Sequence, residues 1–211
     1  MFQHFLYLTL FIGVIPLVLY WRHRKKLNVE TYYFLPFTIL LAVSSLYESI
    51  GTLLLKVNVT YWFWFYLLLE FSALSFFFLK LSTNRTLTWL STGLFGLLYI
   101  TLSLFHNNSN ALILEGYLST FSFITFFSFI VIWFRNAFAD LSYPNLLENG
   151  LFYFFVGIMV YFAGTIFLFL LSDVIYSSHK QSFQAFWMLN VLFSFIFRIL
   201  IIVGVWKSRT K

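Results

Sequence analysis

Apolar runs of about twenty residues recur from one end of the chain to the other, and they restrict its fold more than any other feature. The hydrocarbon core of a bilayer is about 30 Å thick and a helix rises about 1.5 Å per residue, so one crossing takes roughly 20 apolar residues. Seven runs reach that length, at 4–21, 31–55, 61–79, 86–105, 111–134, 151–172 and 185–206. None has the alternating period of a barrel strand. A continuous apolar run must satisfy its own backbone hydrogen bonds in lipid, which predicts helices. The expected fold is therefore all-α, a seven-helix transmembrane bundle forming one membrane domain over 1–211.

Composition supports the same class. With 61% hydrophobic and only 9% charged residues, and a mean hydropathy of +0.88, the chain lacks the polar surface of a soluble domain. The spans use nearly all of the 211 residues, leaving no room for a separate kinase, hydrolase or DNA-binding module. There is no Cys, so disulfides, thiolate metal sites and cysteine nucleophiles are all excluded.

Orientation follows from the basic residues, which collect in short cytoplasmic loops. Arg22, Arg24, Lys25 and Lys26 follow the first run, Lys80 and Arg85 the third, Arg135 the fifth, and Lys207, Arg209 and Lys211 the seventh. The opposite loops hold Lys56 and Lys180. The N-terminus is thus expected outside and the C-terminus in the cytoplasm, in a plasma membrane of bacterial type. The net charge of +6 is accounted for by this asymmetry and calls for no nucleic-acid partner. Trp21, Trp62, Trp64, Trp89, Trp133, Trp187 and Trp206 all fall near predicted helix ends, as interfacial rings do. The first run carries its positive charge after the apolar stretch rather than before it, which reads as a retained anchor instead of a cleaved signal peptide. Pro16 inside it is expected to kink the helix.

The loops are short. The longest are 135–150, expected inside, and 173–184, expected outside. The sequons Asn58-Val59-Thr60 and Asn107-Asn108-Ser109 would face outward.

Function has to be sought in the polar residues within the spans. Residues three and four apart share a helical face. On that spacing Thr38, Ser45, Glu48, Ser49 and Thr52 form one stripe, Asn190, Ser194 and Arg198 a second, and Glu115, Ser119 and Ser122 a third. Tyr66, Glu70 and Ala73 form another in the third run. Gly157, Tyr161, Gly164 and Thr165 in the sixth run, and Thr92, Gly96 and Ser103 in the fourth, have the spacing of close helix contacts. Ser, Thr and Gly stripes are ordinary bundle interfaces. Charges are different, because each costs about 2.5 to 3.5 kcal/mol at the bilayer centre and must face a partner or a wet cavity. By depth along their helices, Glu70 and Arg198 are expected to pair, with Glu48 the alternative acid for the same arginine. The expected ligand or proton pocket comprises Glu48, Glu70, Glu115, Asn190, Arg198, Ser45 and Ser194, opening outward.

Several chemistries lack their residues. His4, His106, His179 and Asp173 gather toward the outer face, but no HExxH or similar ligand spacing occurs, so no metal is expected. No Lys lies inside the seventh run to carry a retinal Schiff base. P-loop, GxGxxG and GxSxG motifs are missing, so no nucleotide, cofactor or catalytic activity is expected. A repeat relating helices two and three to six and seven would match Gly51-Thr52 to Gly164-Thr165, with little else. Three readings follow. The first is a receptor-like protein that senses a small polar or cationic ligand and relays a signal through a cytoplasmic or membrane partner. The second is a carrier for a small solute or proton, with Glu48 and Glu70 titrating during transport. The third is a structural membrane subunit whose intramembrane charges pair with each other or with another chain.

Overall fold

The computed structural model describes residues 2–57, 60–81, 85–106, 110–139, 146–178 and 180–209. All regular structure in them is helical. The helices are α1 (Phe2–His23), α2 (Val29–Tyr32), α3 (Leu35–Leu46), α4 (Thr60–Leu81), α5 (Arg85–Ser103), α6 (Ala111–Ala139), α7 (Gly150–Ser178) and α8 (Lys180–Lys207). A π-helical segment, Tyr47–Leu54, continues α3, and a single 3₁₀ turn spans Leu146–Glu148. Six helices, α1 and α4 to α8, are long and apolar enough to cross a membrane. This is the build of a multi-pass membrane protein.

The second predicted span, 31–55, is not one α-helix. Its start is divided off where Pro36 stands in the first turn of α3: proline has no N–H to bond the carbonyl of Tyr32, and Tyr33 and Phe34, still in αR geometry, make tighter bonds to Glu30 and Thr31 carbonyls instead. The result is the separate four-residue α2. Its end widens into the π-helical segment, where Leu55 N–H bonds to Ile50 carbonyl, five residues back, at 3.0 Å. Ser45 and Ser49 donate their hydroxyls to the carbonyls four residues behind them, a competition with backbone donors that loosens an α-helix. Lys56, with φ of 53°, then turns the chain.

The predicted outer loop 173–184 is also largely helical, with α7 running to Ser178 and α8 beginning at Lys180. No Gly or Pro interrupts that stretch, so nothing local stops either helix. Likewise α6 continues through Arg135 to Ala139. Residues 58–59, 107–109, 140–145 and His179 lie outside the described residues, and with them most of both sequons.

Six of the long elements close a ring. In order of contact they are α1, α3, α4, α6, α7 and α8, and α8 returns to α1. Helix α5 stays outside, packed on α4 and α6. Its attachment is aromatic, since Phe95 stacks on Phe71 of α4 at 3.7 Å between centroids, and Trp64 Nε1–H donates to Ser103 Oγ at 3.1 Å. Gly96 has nothing within 4 Å of where a Cβ would stand, so the expected close contact through Thr92 and Gly96 is replaced by this ring packing. Trp64 is itself buried, unlike the exposed Trp21, Trp89 and Trp206.

The two ends of the ring differ. At one end Arg22 and His23 close α1, Lys80 lies in the last turn of α4 and Lys207 ends α8. The ends of α1 and α8 are joined there by a bridge between Leu27 and Arg209 and by Asn28 N–H donating to Ser208 carbonyl at 3.2 Å. Above this basic end lies a dry aromatic core. Phe34 stacks on Phe154 at 4.5 Å and meets Phe77 edge-on at 4.9 Å, all three fully buried. Burying such side chains stabilises a water-soluble core by about 1.5 to 3 kcal/mol each, but in lipid the gain comes from close packing instead. At the opposite end the ring contains polar residues and space.

Candidate functional site

A cavity of about 100 Å³ lies inside the ring, toward the end opposite the basic residues. Helix α1 lines it with Leu6, Thr9 and Leu10, the α3 and π-helical element with Leu41, Ser44 and Glu48, and α4 with Trp62, Phe63 and Tyr66. Tyr161 of α7 and the α8 face Asn190, Val191, Ser194, Phe197 and Arg198 complete it. The α8 stripe read from spacing, Asn190, Ser194 and Arg198, therefore does face one space. So does Glu48.

Arg198 is deeply buried, only 4% exposed. Its Nη1 donates to the backbone carbonyl of Thr9 on α1. Its Nε–H is buried with no hydrogen-bond partner, as is Oδ1 of Asn190 two turns away along the same face. A buried donor or acceptor left unpaired costs about 1 to 3 kcal/mol, so both atoms mark places where a polar group from elsewhere would be stabilised. Glu48 is half-buried and accepts from Ser44 Oγ at 3.3 Å. It shares the lining of this cavity with Arg198.

Glu70, by contrast, faces a second, smaller cavity of about 20 Å³, bordered also by Ser119, Phe162 and Thr165. It accepts from Tyr66 Oη at 3.4 Å. Arg198 does not reach that cavity, so the expected Glu70 to Arg198 pair is not the arrangement found. Glu48, the alternative, is the acid that shares a space with the arginine. Equal depth does not ensure equal facing. Phe63, Tyr66 and Tyr161 border both cavities and form the wall between them.

Two further expectations shift. Ser45 does not line the main cavity: it is 1% exposed, donates to Leu41 carbonyl at 2.8 Å and faces α1 at Gly13. The neighbouring Ser44 takes the place expected for it. Glu115 is buried on α6 but lines neither cavity; only Ser119, one turn on, reaches the smaller one. Of the outer histidines, His106 packs its ring on Trp64 at 4.3 Å. Side chains at His4, Thr52, Asp173 and His179 lie outside the described residues. Among the described residues no three His, Cys, Asp or Glu converge as metal ligands do.

Sequence reasoning passed over Gly13. A Cβ at that position would stand 2.2 Å from Ser45 Oγ and 3.0 Å from Arg198 Nη1, so a bare backbone is what lets α3 and the guanidinium approach α1 together. The signal available was Gly13 four residues after Thr9, a small-residue spacing on one face of α1. Trp62 and Tyr161 were likewise read as an interface ring and a packing residue, whereas both line the cavity. No known protein family matches this chain, and neither does any curated protein or solved structure.

Proposed function

We propose that the protein is a seven-crossing, receptor-like membrane protein whose main cavity binds a small polar ligand from the outer side of a bacterial plasma membrane. The observation that carries this reading is Arg198: a buried guanidinium with an unpartnered Nε–H, facing a polar space shared with Glu48, Asn190 and Ser194. A charge in mid-membrane is expected to serve a function, and one that faces a cavity with spare donors serves binding. Helix α3 and the π-helical segment make up the seventh crossing, since together they run from Leu35 to Leu54, close to the roughly 20 residues a span needs. The basic residues at the far end support a cytoplasmic position for that end, with the cavity outward. Below Phe197 the aromatic core closes the path, which suits a pocket entered from one side only. Occupancy would be read by a cytoplasmic or membrane partner.

Replacement of Ser194 by Cys, in a chain with no other thiol, tests the pocket directly. A small, membrane-impermeant methanethiosulfonate added to intact cells should label S194C; complete protection would overturn the reading.

A second reading, a small-solute or proton-coupled carrier, is favoured by one observation. Tyr66 borders both cavities and bonds to Glu70, giving a second acid behind the first. Purified protein in proteoliposomes separates the two readings: solute or proton flux supports the carrier, and binding without flux supports the receptor.

A further inference from the structure

We propose that the ligand of the main cavity is a small zwitterion, an amine and a carboxylate on one carbon in the manner of glycine or alanine. This rests on the pocket reading above and narrows it to one chemical class.

Three observations converge. First, the space itself carries both signs: Glu48 and Arg198 line the same cavity. A net anion would be repelled by the first and a net cation by the second, whereas a molecule carrying both charges satisfies each. Second, the unpartnered atoms are complementary in kind. Arg198 Nε–H lacks an acceptor and Asn190 Oδ1 lacks a donor. They lie eight residues apart on α8, about 12 Å in helical rise; both side chains lean toward the start of the helix, so only the longer reach of arginine narrows that gap. Ser194 stands between them on the same face. A carboxylate toward the Arg198 end and an ammonium toward the Asn190 end is the polarity that matches both atoms. Third, size limits the choice. A cavity of roughly 150 Å³ admits benzene, a molecule of about six heavy atoms, so the space of about 100 Å³ here takes about four or five. Glycine fits that measure.

The site differs from a bare ion pair in needing the ligand's two charges at once. Binding should therefore fail for either half alone. Purified full-length protein in detergent is titrated with glycine, alanine, acetate and methylammonium by calorimetry. The expected result is saturable binding of glycine or alanine, with acetate and methylammonium each at least tenfold weaker. N190L, at a half-buried position away from the aromatic core, should weaken glycine binding tenfold or more without lowering the unfolding temperature. R198 variants risk misfolding and are not needed. Equal binding of acetate, or of methylammonium, overturns the zwitterion class. So does absence of any binding in protein whose S194C form is labelled from outside, and in that case the pocket reading itself survives. Absence of both labelling and binding overturns the pocket and the ligand class together.

Discussion

The guanidinium of Arg198 lies against the bare backbone of Gly13, so close that a Cβ there would stand 3.0 Å from Nη1. The same Nη1 donates to Thr9 carbonyl, one turn earlier on α1. Glycine thus makes the room and threonine supplies the acceptor, and between them they hold the guanidinium's Nη1 side while its Nε–H stays buried without a partner. A methyl group at Gly13 would also meet Ser45 Oγ at 2.2 Å.

G13A is expected to destabilise the protein by about 1 to 3 kcal/mol, the usual range for overpacking a close contact. Part of that should return in G13A/S45A, because removing the hydroxyl relieves the tighter of the two clashes. Thermal unfolding of the four proteins in one detergent measures the coupling. Ligand binding should fall in G13A and stay reduced in the double variant, since the Arg198 clash persists there. Strictly additive stabilities would show that Ser45 moves aside without cost.

A separate expectation attaches to Tyr66 and Glu70, joined at 3.4 Å along one face of α4 beside the smaller cavity. Y66F removes the donor and leaves a buried carboxyl without it, which should cost about 1 to 3 kcal/mol. Y66F/E70M replaces both partners by apolar groups of similar shape and should cost less than Y66F alone, as paired removal of a buried bond often does. Thermal unfolding gives the comparison. A double variant worse than Y66F would mean that Glu70 holds another stabilising contact.

How far the fold and site were legible in the sequence depends on range. Six of the seven predicted spans are long apolar helices, because hydrocarbon thickness acts on each segment separately. The α8 stripe of Asn190, Ser194 and Arg198 was equally readable, since an α-helix keeps its period. On α3 the period fails. The chain passes into π-helix at Tyr47, so the face predicted to carry Ser45 with Glu48 instead carries Ser44 with Glu48. Which acid meets Arg198 was beyond periodicity altogether. Glu70 and Arg198 agree in depth, but the wall of Phe63, Tyr66 and Tyr161 is a property of the packed ring. The ends of α7 and α8 extend past their apolar runs because composition marks where lipid ends and not where a helix must stop, and no Gly or Pro in that stretch disfavours helix.

Along the α7 and α8 contact, Gly164 faces the ring of Phe193, where a Cβ would lie 2.3 Å from the nearest ring atom. G164A should cost about 1 to 3 kcal/mol by forcing that ring off its rotamer. In an F193A background, which lacks all of the clashing ring atoms, the same G164A change should cost clearly less. Unfolding temperatures are again the readout. A neutral G164A would show that Phe193 turns into free space without strain.

The orientation of the chain yields the last prediction, and the lack of native Cys makes it a clean one. Lys25, exposed just past α1, belongs to the basic end, and Lys56 follows the π-helical segment at the other. Short basic loops stay on the cytoplasmic side of a plasma membrane. A bulky, impermeant maleimide applied to intact cells should therefore modify K56C and spare K25C, and permeabilised cells should show both modified. The two sites also bracket the element that runs from Leu35 to Leu54. If both are modified from the same side, that element does not cross, the chain has six crossings, and Glu48 enters the bundle on a re-entrant segment. If only K25C is modified in intact cells, the whole bundle is inverted and the cavity faces the cytoplasm.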